Sequence, residues 1–146
     1  MIYIHIPFCK SRCLYCDFFS TTSSELKDDF VKALLKEIEG RAEELRFARA
    51  NTIYIGGGTP SQLDTKHLTD IFGALQRVAP LQDGAEVTIE CNPDDITPEF
   101  VDALKATPVN RVSMGVQTFD DNLLRLLRRR HTSAQAHRAV SPHVTY

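Results

Sequence analysis

Ile2-Tyr3-Ile4-His5-Ile6 runs straight into Pro7-Phe8-Cys9-Lys10-Ser11-Arg12-Cys13-Leu14-Tyr15-Cys16, and these residues decide how the chain is read. The first five alternate apolar and polar side chains, the period of a strand with one buried face. A loop from Pro7 to about Ser20 follows directly and carries three thiols at CxxxCxxC spacing, near enough to converge on one inorganic centre. The count is informative. A structural zinc usually takes four protein ligands, and no other Cys or His completes such a set within the loop. A cluster held by four thiolates needs another nearby cysteine as well. Three thiolates on an iron cubane leave one iron open to a small molecule. The fourth cysteine, Cys91, stands far downstream, and clustering of the other three favours a metal over a disulfide framework. Cys91 falls on the apolar side of its own strand and is expected in the core.

Three more strands are expected, at Thr52 to Ile55, Glu86 to Cys91 and Val109 to Gln117. Helices are expected between and after them. The first has Thr22 and Glu25 as a capping box ahead of Leu26, Phe30, Ala33, Leu34 and Ile38. Asp64 caps the second, with Leu68, Ile71, Phe72 and Leu75; Thr97-Pro98 opens a short third. Asp120 caps a fourth with Leu123, Leu124 and Leu127, and Thr132 with Gln135 starts another segment. Alternating strands and helices of this length argue for parallel pairing. One face of each strand is apolar, whereas the other carries Tyr3 and His5, Thr52 and Tyr54, Thr88 and Glu90, or Arg111, Ser113 and Gln117. A doubly wound sheet hides apolar residues on both faces. The expected fold is therefore α/β, a partial (β/α) barrel of about four βα units whose polar strand faces line a lumen.

Of the 146 residues 42% are hydrophobic and 25% charged, the composition of an ordinary globular domain. A net charge of -2 offers no basic face for nucleic acid, and no apolar run approaches the roughly 20 residues of a membrane-spanning helix. The N-terminus has no charged-then-apolar leader, so the expected compartment is the cytoplasm.

Several ordered motifs together resemble the radical S-adenosylmethionine (SAM) family, specifically the oxygen-independent coproporphyrinogen III oxidases and their haem-chaperone relatives. They are Tyr3-Ile-His-Ile-Pro-Phe-Cys9, the cysteine spacing, Gly56-Gly57-Gly58-Thr59-Pro60-Ser61, Glu90-Cys-Asn-Pro93 and Ser113-Met-Gly-Val-Gln-Thr-Phe119. The resemblance implies a radical SAM barrel and a [4Fe–4S] cluster on Cys9, Cys13 and Cys16. It also implies SAM on the open iron, cleaved by one electron from a donor protein to methionine and a 5'-deoxyadenosyl radical. SAM contacts are implied for Gly57, Gly58 and Thr59 of the glycine run, for Glu90 and Gln117 on the lumen face, and for Arg129 toward the SAM carboxylate. Tyr3 and Tyr15 match positions flanking SAM and the cluster. No residue of this chain is singled out as catalytic. His67, His131, His137 and His143 are expected at the surface. Arg128 stands where the chaperone-like branch commonly has glycine.

The oxidases of this family resemble CxxxCxxCxC at the cluster loop and carry extra sequence before it. Phe18 stands where that additional cysteine falls, and the motifs begin at Met1. Both features resemble the haem-chaperone branch, which implies haem as a further ligand and a haem-acceptor protein as partner. The alternatives are a coproporphyrinogen oxidase acting on a porphyrinogen, or an inactive fragment binding metal such as zinc. Residues 1–140 read as the N-terminal part of a radical SAM domain, and 141–146 as an atypical tail. A truncated barrel of this size is expected to stay unclosed, with exposed strand edges, poor stability, and a cluster site that does not complete catalysis.

Overall fold

β-Branched residues at every second position build the strands, and the pairing follows from the helices that separate them. The structure is a computed structural model that describes residues 1–48 and 51–140. Its elements are β1 (Ile2–Ile6), α1 (Lys27–Gly40), α2 (Ala42–Ala48), β2 (Thr52–Gly57), α3 (Thr65–Val78), β3 (Glu86–Cys91), α4 (Pro98–Lys105), β4 (Arg111–Met114), α5 (Asp121–Leu126) and α6 (Ser133–Ala139). The four strands form one parallel sheet in the order β1-β2-β3-β4, open at both ends among the described residues. This is the expected α/β architecture. The atypical tail of 141–146, and with it His143, lies outside the described residues.

Register places Ile4, Ile55, Ile89 and Val112 side by side, and the first three are almost fully buried. With Ile6, Ile53 and Val87 they form the face against which Leu68, Ile71 and Leu75 of α3 are buried. Each such side chain contributes about 1.5–3 kcal/mol by leaving water. The opposite face carries the row Tyr3, Tyr54, Thr88 and Arg111. Thr88 is buried there, accepting from Arg111 Nη1 (3.2 Å) and donating to Glu86 Oε1 (3.1 Å).

Four of the expected caps form. Asp64 accepts from the amide of His67, Thr97 from Phe100, and Asp120 from Asn122 and Leu123. Thr132 and Gln135 make the reciprocal box of α6. The expected box at Thr22 and Glu25 does not form. Thr21 is committed to the loop, donating its amide to Pro7 O (2.7 Å) and accepting from Cys9 N (2.9 Å). The chain then enters α1 through a 3-10 turn at Ser24–Leu26, whose leading Ser23 makes no side-chain cap. Asp28 and Asp29 in the first turn of α1 offset its exposed amides instead. α2 is a helix beyond those expected from the sequence. β4 is shorter than expected: Val116 N bonds Met114 O and Thr118 N bonds Val116 O, and these tight turns end the strand before Gln117.

His67 corrects a surface expectation. It is buried between α1 and α3, with Nε2 2.9 Å from Asp28 Oδ1, because its place on α3 faces α1 and a carboxylate there satisfies it. No helix among the described residues is long and apolar enough to cross a membrane.

Gly58 is where the two segments after β1 and β2 close on each other. Its amide donates to Ile6 O and that of Thr59 to Phe8 O, both at 2.8 Å. A Cβ at Gly58 would stand 2.8 Å from the carbonyl carbon of Pro7 and 2.9 Å from two backbone oxygens, none able to turn aside. Gly58→Ala is expected to cost about 1–3 kcal/mol. Gly40→Ala, at the open end of α1, is expected to gain about 0.5–1 kcal/mol. Urea unfolding of the two variants checks both signs.

Candidate functional site

Parallel strands in sequence order deliver four loops to the same end of the sheet. The thiol loop after β1, the glycine run after β2, Asn92-Pro93 after β3 and the turn after β4 surround a cavity of about 230 Å³. Cys9, Cys13, Cys16, Tyr15, Gly57, Gly58, Thr59, Glu90, Gln117 and Arg129, separated by as many as 120 positions, all line it. Tyr3 does not. It lies half exposed on the lumen face, its ring stacked on Tyr54 (centroids 6.2 Å) and its hydroxyl 3.2 Å from His5 Nδ1.

The thiols are unpaired and partly exposed. Cys9 Sγ accepts from Thr59 Oγ1 at 3.5 Å, and Cys13 Sγ from Arg129 Nη1 at 3.3 Å. These two contacts tie the sulfurs to the glycine-run turn and to the segment after α5. Leu14 N bonds Leu127 O (3.1 Å), tying the loop to the end of α5. Among the described residues no three His, Cys, Asp or Glu side chains are gathered closely enough to hold a single ion. A cubane takes each thiolate on a separate iron and accepts sulfurs set further apart. Arg129 Nε is a buried donor without a partner among the described residues. The donor set and this spare N–H fit a cluster bearing an anionic ligand.

Glu90 is held from two sides: Oε1 accepts from the Tyr54 hydroxyl (2.6 Å) and Oε2 from Gly57 N (3.2 Å). The hydrogen bond to Glu90, with burial adding, raises the Tyr54 phenol above its ordinary range. Gly56 leaves room for this pair, since a Cβ there would meet Tyr54 Cε1 at 2.8 Å and Glu90 Oε2 at 2.9 Å. Burial above all keeps Tyr15 protonated; the charge of Arg129 opposes the shift and Cys13 reinforces it.

Arg129 joins three segments. Nη1 reaches Cys13, while Nη2 donates to Asn92 Oδ1 (2.7 Å) and to Gly115 O. Its direction comes from the end of α5. Arg129 N bonds Leu124 O and Arg128 N bonds Arg125 O, a Schellman turn with Arg128 in the left-handed region at φ 56°. This is the position where glycine is the easy residue. Gln117 also has positive φ (67°), beyond the strand rather than on its lumen face as expected, and its side chain still reaches the cavity over Gly115. His131 is another correction. It is buried, 2% exposed, with Nε2 donating to Val116 O (3.0 Å), because the turn after Arg129 carries it under the β4 loop. Burial, then the neighbouring charge of Arg129, lowers its pKa. His137 is exposed as expected, stacked on Phe119.

Sequence reasoning missed Tyr54 and Asn92 as site residues, although Tyr54 stood on the correct strand face and Asn92 within a quoted motif. Arg130, next to Arg129 in sequence, also lines the cavity. The strand face marks Tyr54, the motif marks Asn92, and adjacency to Arg129 marks Arg130.

Arg128→Gly is expected to stabilise the chain by about 1 kcal/mol, since an L-residue at a left-handed position is strained; the urea midpoint checks it. Cys91 is buried and its thiol pushed up from 9.0 to about 12, by burial first and the charge of Asp95 second. At pH 8 alkylation is expected at Cys9, Cys13 and Cys16 and not at Cys91 until the chain unfolds. A raised thiol stabilises the fold below about pH 9 and loses that contribution as pH climbs toward 12, by up to ~1.4 kcal/mol per unit. The excess loss of stability over Cys91→Val across that window measures it.

Residues 3–141 match the Radical SAM superfamily. The chain is 39% identical over 140 residues to the "Heme chaperone HemW" of Lactococcus lactis subsp. lactis (strain IL1403), covering 94% of this chain and 36% of the relative. It is 41% identical over 131 residues to that of Bacillus subtilis (strain 168), covering 88% and 35%. Against the same-named protein of Escherichia coli (strain K12) it is 39% identical over 142 residues, covering 95% and 37%. Among solved structures it superposes on one described as "Coproporphyrinogen III oxidase (HemN) from Escherichia coli is a Radical SAM enzyme", with TM-score 0.83 and 30% identity over 94% of this chain and 32% of that one. It thus spans about a third of the length of these relatives. By the extent of that match, and by a parallel sheet whose loops gather three thiols at one end, the chain belongs to the radical SAM superfamily.

Proposed function

We propose that this chain binds a [4Fe–4S] cluster through Cys9, Cys13 and Cys16, with SAM beside it, as part of a cytoplasmic haem chaperone. Residues 1–140 are its share of the radical SAM domain. One observation carries the reading: Arg129 bonds the thiol loop at Cys13 and the opposite wall at Asn92 and Gly115, so cluster loop and ligand wall close on one cavity. When bound, cluster and SAM would supply one-electron cleavage of a sulfonium, chemistry no side chain offers.

The protein's own part is binding and orientation. Arg129 has a planar fork of donors suited to a carboxylate, and its buried Nε is free to contribute. Glu90, fixed by Tyr54 and Gly57, presents an acceptor to hydroxyl or amino donors. Gly57, at φ 111°, keeps the strand end bare of side chain; Thr59 and Gln117 add polar groups, and protonated Tyr15 a flat cover. Gly58 braces the loops through its amide, taken by Ile6 O, and also lines the cavity. Tyr3 supports the wall through Tyr54.

The chaperone branch is favoured over the oxidase by the similarity to proteins of that name and by exposed Phe18, which supplies no sulfur at the place of the oxidases' additional cysteine. Haem and an acceptor protein are the partners that follow, with a separate protein donating the electron.

Anaerobic reconstitution with iron and sulfide tests this. The expected product holds iron and sulfide in equal amounts and loses them when the three cysteines become alanine. SAM is expected to perturb the spectrum of the reduced cluster, and Arg129→Met to weaken its binding roughly 10- to 100-fold. Stoichiometric zinc without sulfide, or a cluster that survives loss of all three thiols, would overturn the assignment. Haem titration of the same preparation, set against decarboxylation of coproporphyrinogen, separates chaperone from oxidase.

A further inference from the structure

Beneath the cavity lies a carboxylate that does not line it. The Asp95 side chain is only 4% exposed, and its oxygens accept from three other segments. Lys10 Nζ approaches Oδ1 at 3.2 Å; Ser61 Oγ (2.7 Å), Gln62 Nε2 (2.9 Å) and Arg130 Nη2 (3.0 Å) converge on Oδ2. Asp94 holds the other arm of Arg130 at 3.1 Å. Each partner adjoins a residue of the site. Lys10 follows Cys9, Ser61 and Gln62 follow Thr59 within three positions, and Arg130 follows Arg129.

A carboxylate so far from water is tolerable only with its lone pairs filled, and this one has two cations and two neutral donors. We propose that Asp95 is a positioning residue that latches the thiol loop, through Lys10, to the glycine-run turn and to the segment bearing Arg129. The latch fixes where Cys9 and Cys13 stand relative to Thr59 and Arg129, the groups that donate to their sulfurs. Its meaning for a cluster rests on the proposed function; the placement of the loop does not.

Lys10 is the informative member to change. Its side chain is 59% exposed, so the ion pair adds little to global stability, and Asp95 keeps Ser61, Gln62 and Arg130 when it is lost. In Lys10→Met the urea midpoint is expected to stay at its original value. Iodoacetamide modification of metal-free Cys9 and Cys13, resolved by mass spectrometry, is expected to speed up about 3- to 10-fold, and Lys10→Arg to restore the slow rate. After reconstitution, iron loss to a chelator is expected to accelerate by a similar factor. Equal alkylation rates in all three proteins would overturn the latch, as would a rate increase matched by a fall in the urea midpoint. If the unaltered chain takes up no iron and sulfide, the cluster assignment fails while the alkylation rates still decide the latch.

Discussion

Parallel pairing in sequence order is the constraint on which everything else in this chain rests. It sends the C-terminal ends of all four strands to one edge of the sheet, so four loops that are distant in sequence share one mouth. The side-chain period of two then separates the labour. Ile4, Ile55 and Ile89 bury one face under α3, while Tyr54 and Glu90 project from the other toward the site. A slip of one residue in β3 would exchange Ile89 for Glu90, placing a carboxylate in the core and an isoleucine in the cavity. Packing and function therefore enforce the same register.

Charged groups line the cavity and pair beside it. Glu90, Arg129 and Arg130 line it, Arg130 pairs with Asp94 and Asp95 next to it, and Asp95 also holds Lys10. Such arrangements add little net stability over an apolar core, but they are specific, because a displaced member leaves a buried charge unpaired. The strained turn at Arg128 fits this balance. The left-handed residue ends α5 and lets Arg129 turn inward, so local strain is offset by contacts on three loops.

The sheet was legible because its strands declare themselves. β1 and β3 fall at their expected limits, since alternation and the following Pro7 and Asn92-Pro93 mark both ends. Caps at Asp64, Thr97, Asp120 and Thr132 were legible because each signal is contained in four residues. Most of what the sequence hides depends on contacts beyond the local window. Thr22 loses its cap because Thr21 pairs with Pro7 and Cys9, and β4 stops early because its continuation coils over the cavity. The burial of His67 and His131 rests on partners 39 and 15 residues away. The thiols, glycine run and Glu90 lie in ordered motifs and Arg129 at a position the family resemblance implies, whereas the contacts of Tyr54, Asn92 and Asp95 exist only once the loops are folded together.

One residue type serves two purposes here, and burial divides them. Cys91 lines the same cavity as the loop thiols, and by proximity alone it is a fourth candidate ligand. Its position on the apolar side of β3, with Asp95 nearby, raises its thiol to about 12, so at neutral pH it is protonated and a poor ligand. Cys9 and Cys13 instead stand partly in solvent and receive donors from Thr59 and Arg129. A cubane offered four thiolates has no open iron, and one offered three does. The strand alternation that hides Cys91 in the core thus also limits the ligand count at the loop, which is the property the proposed chemistry requires.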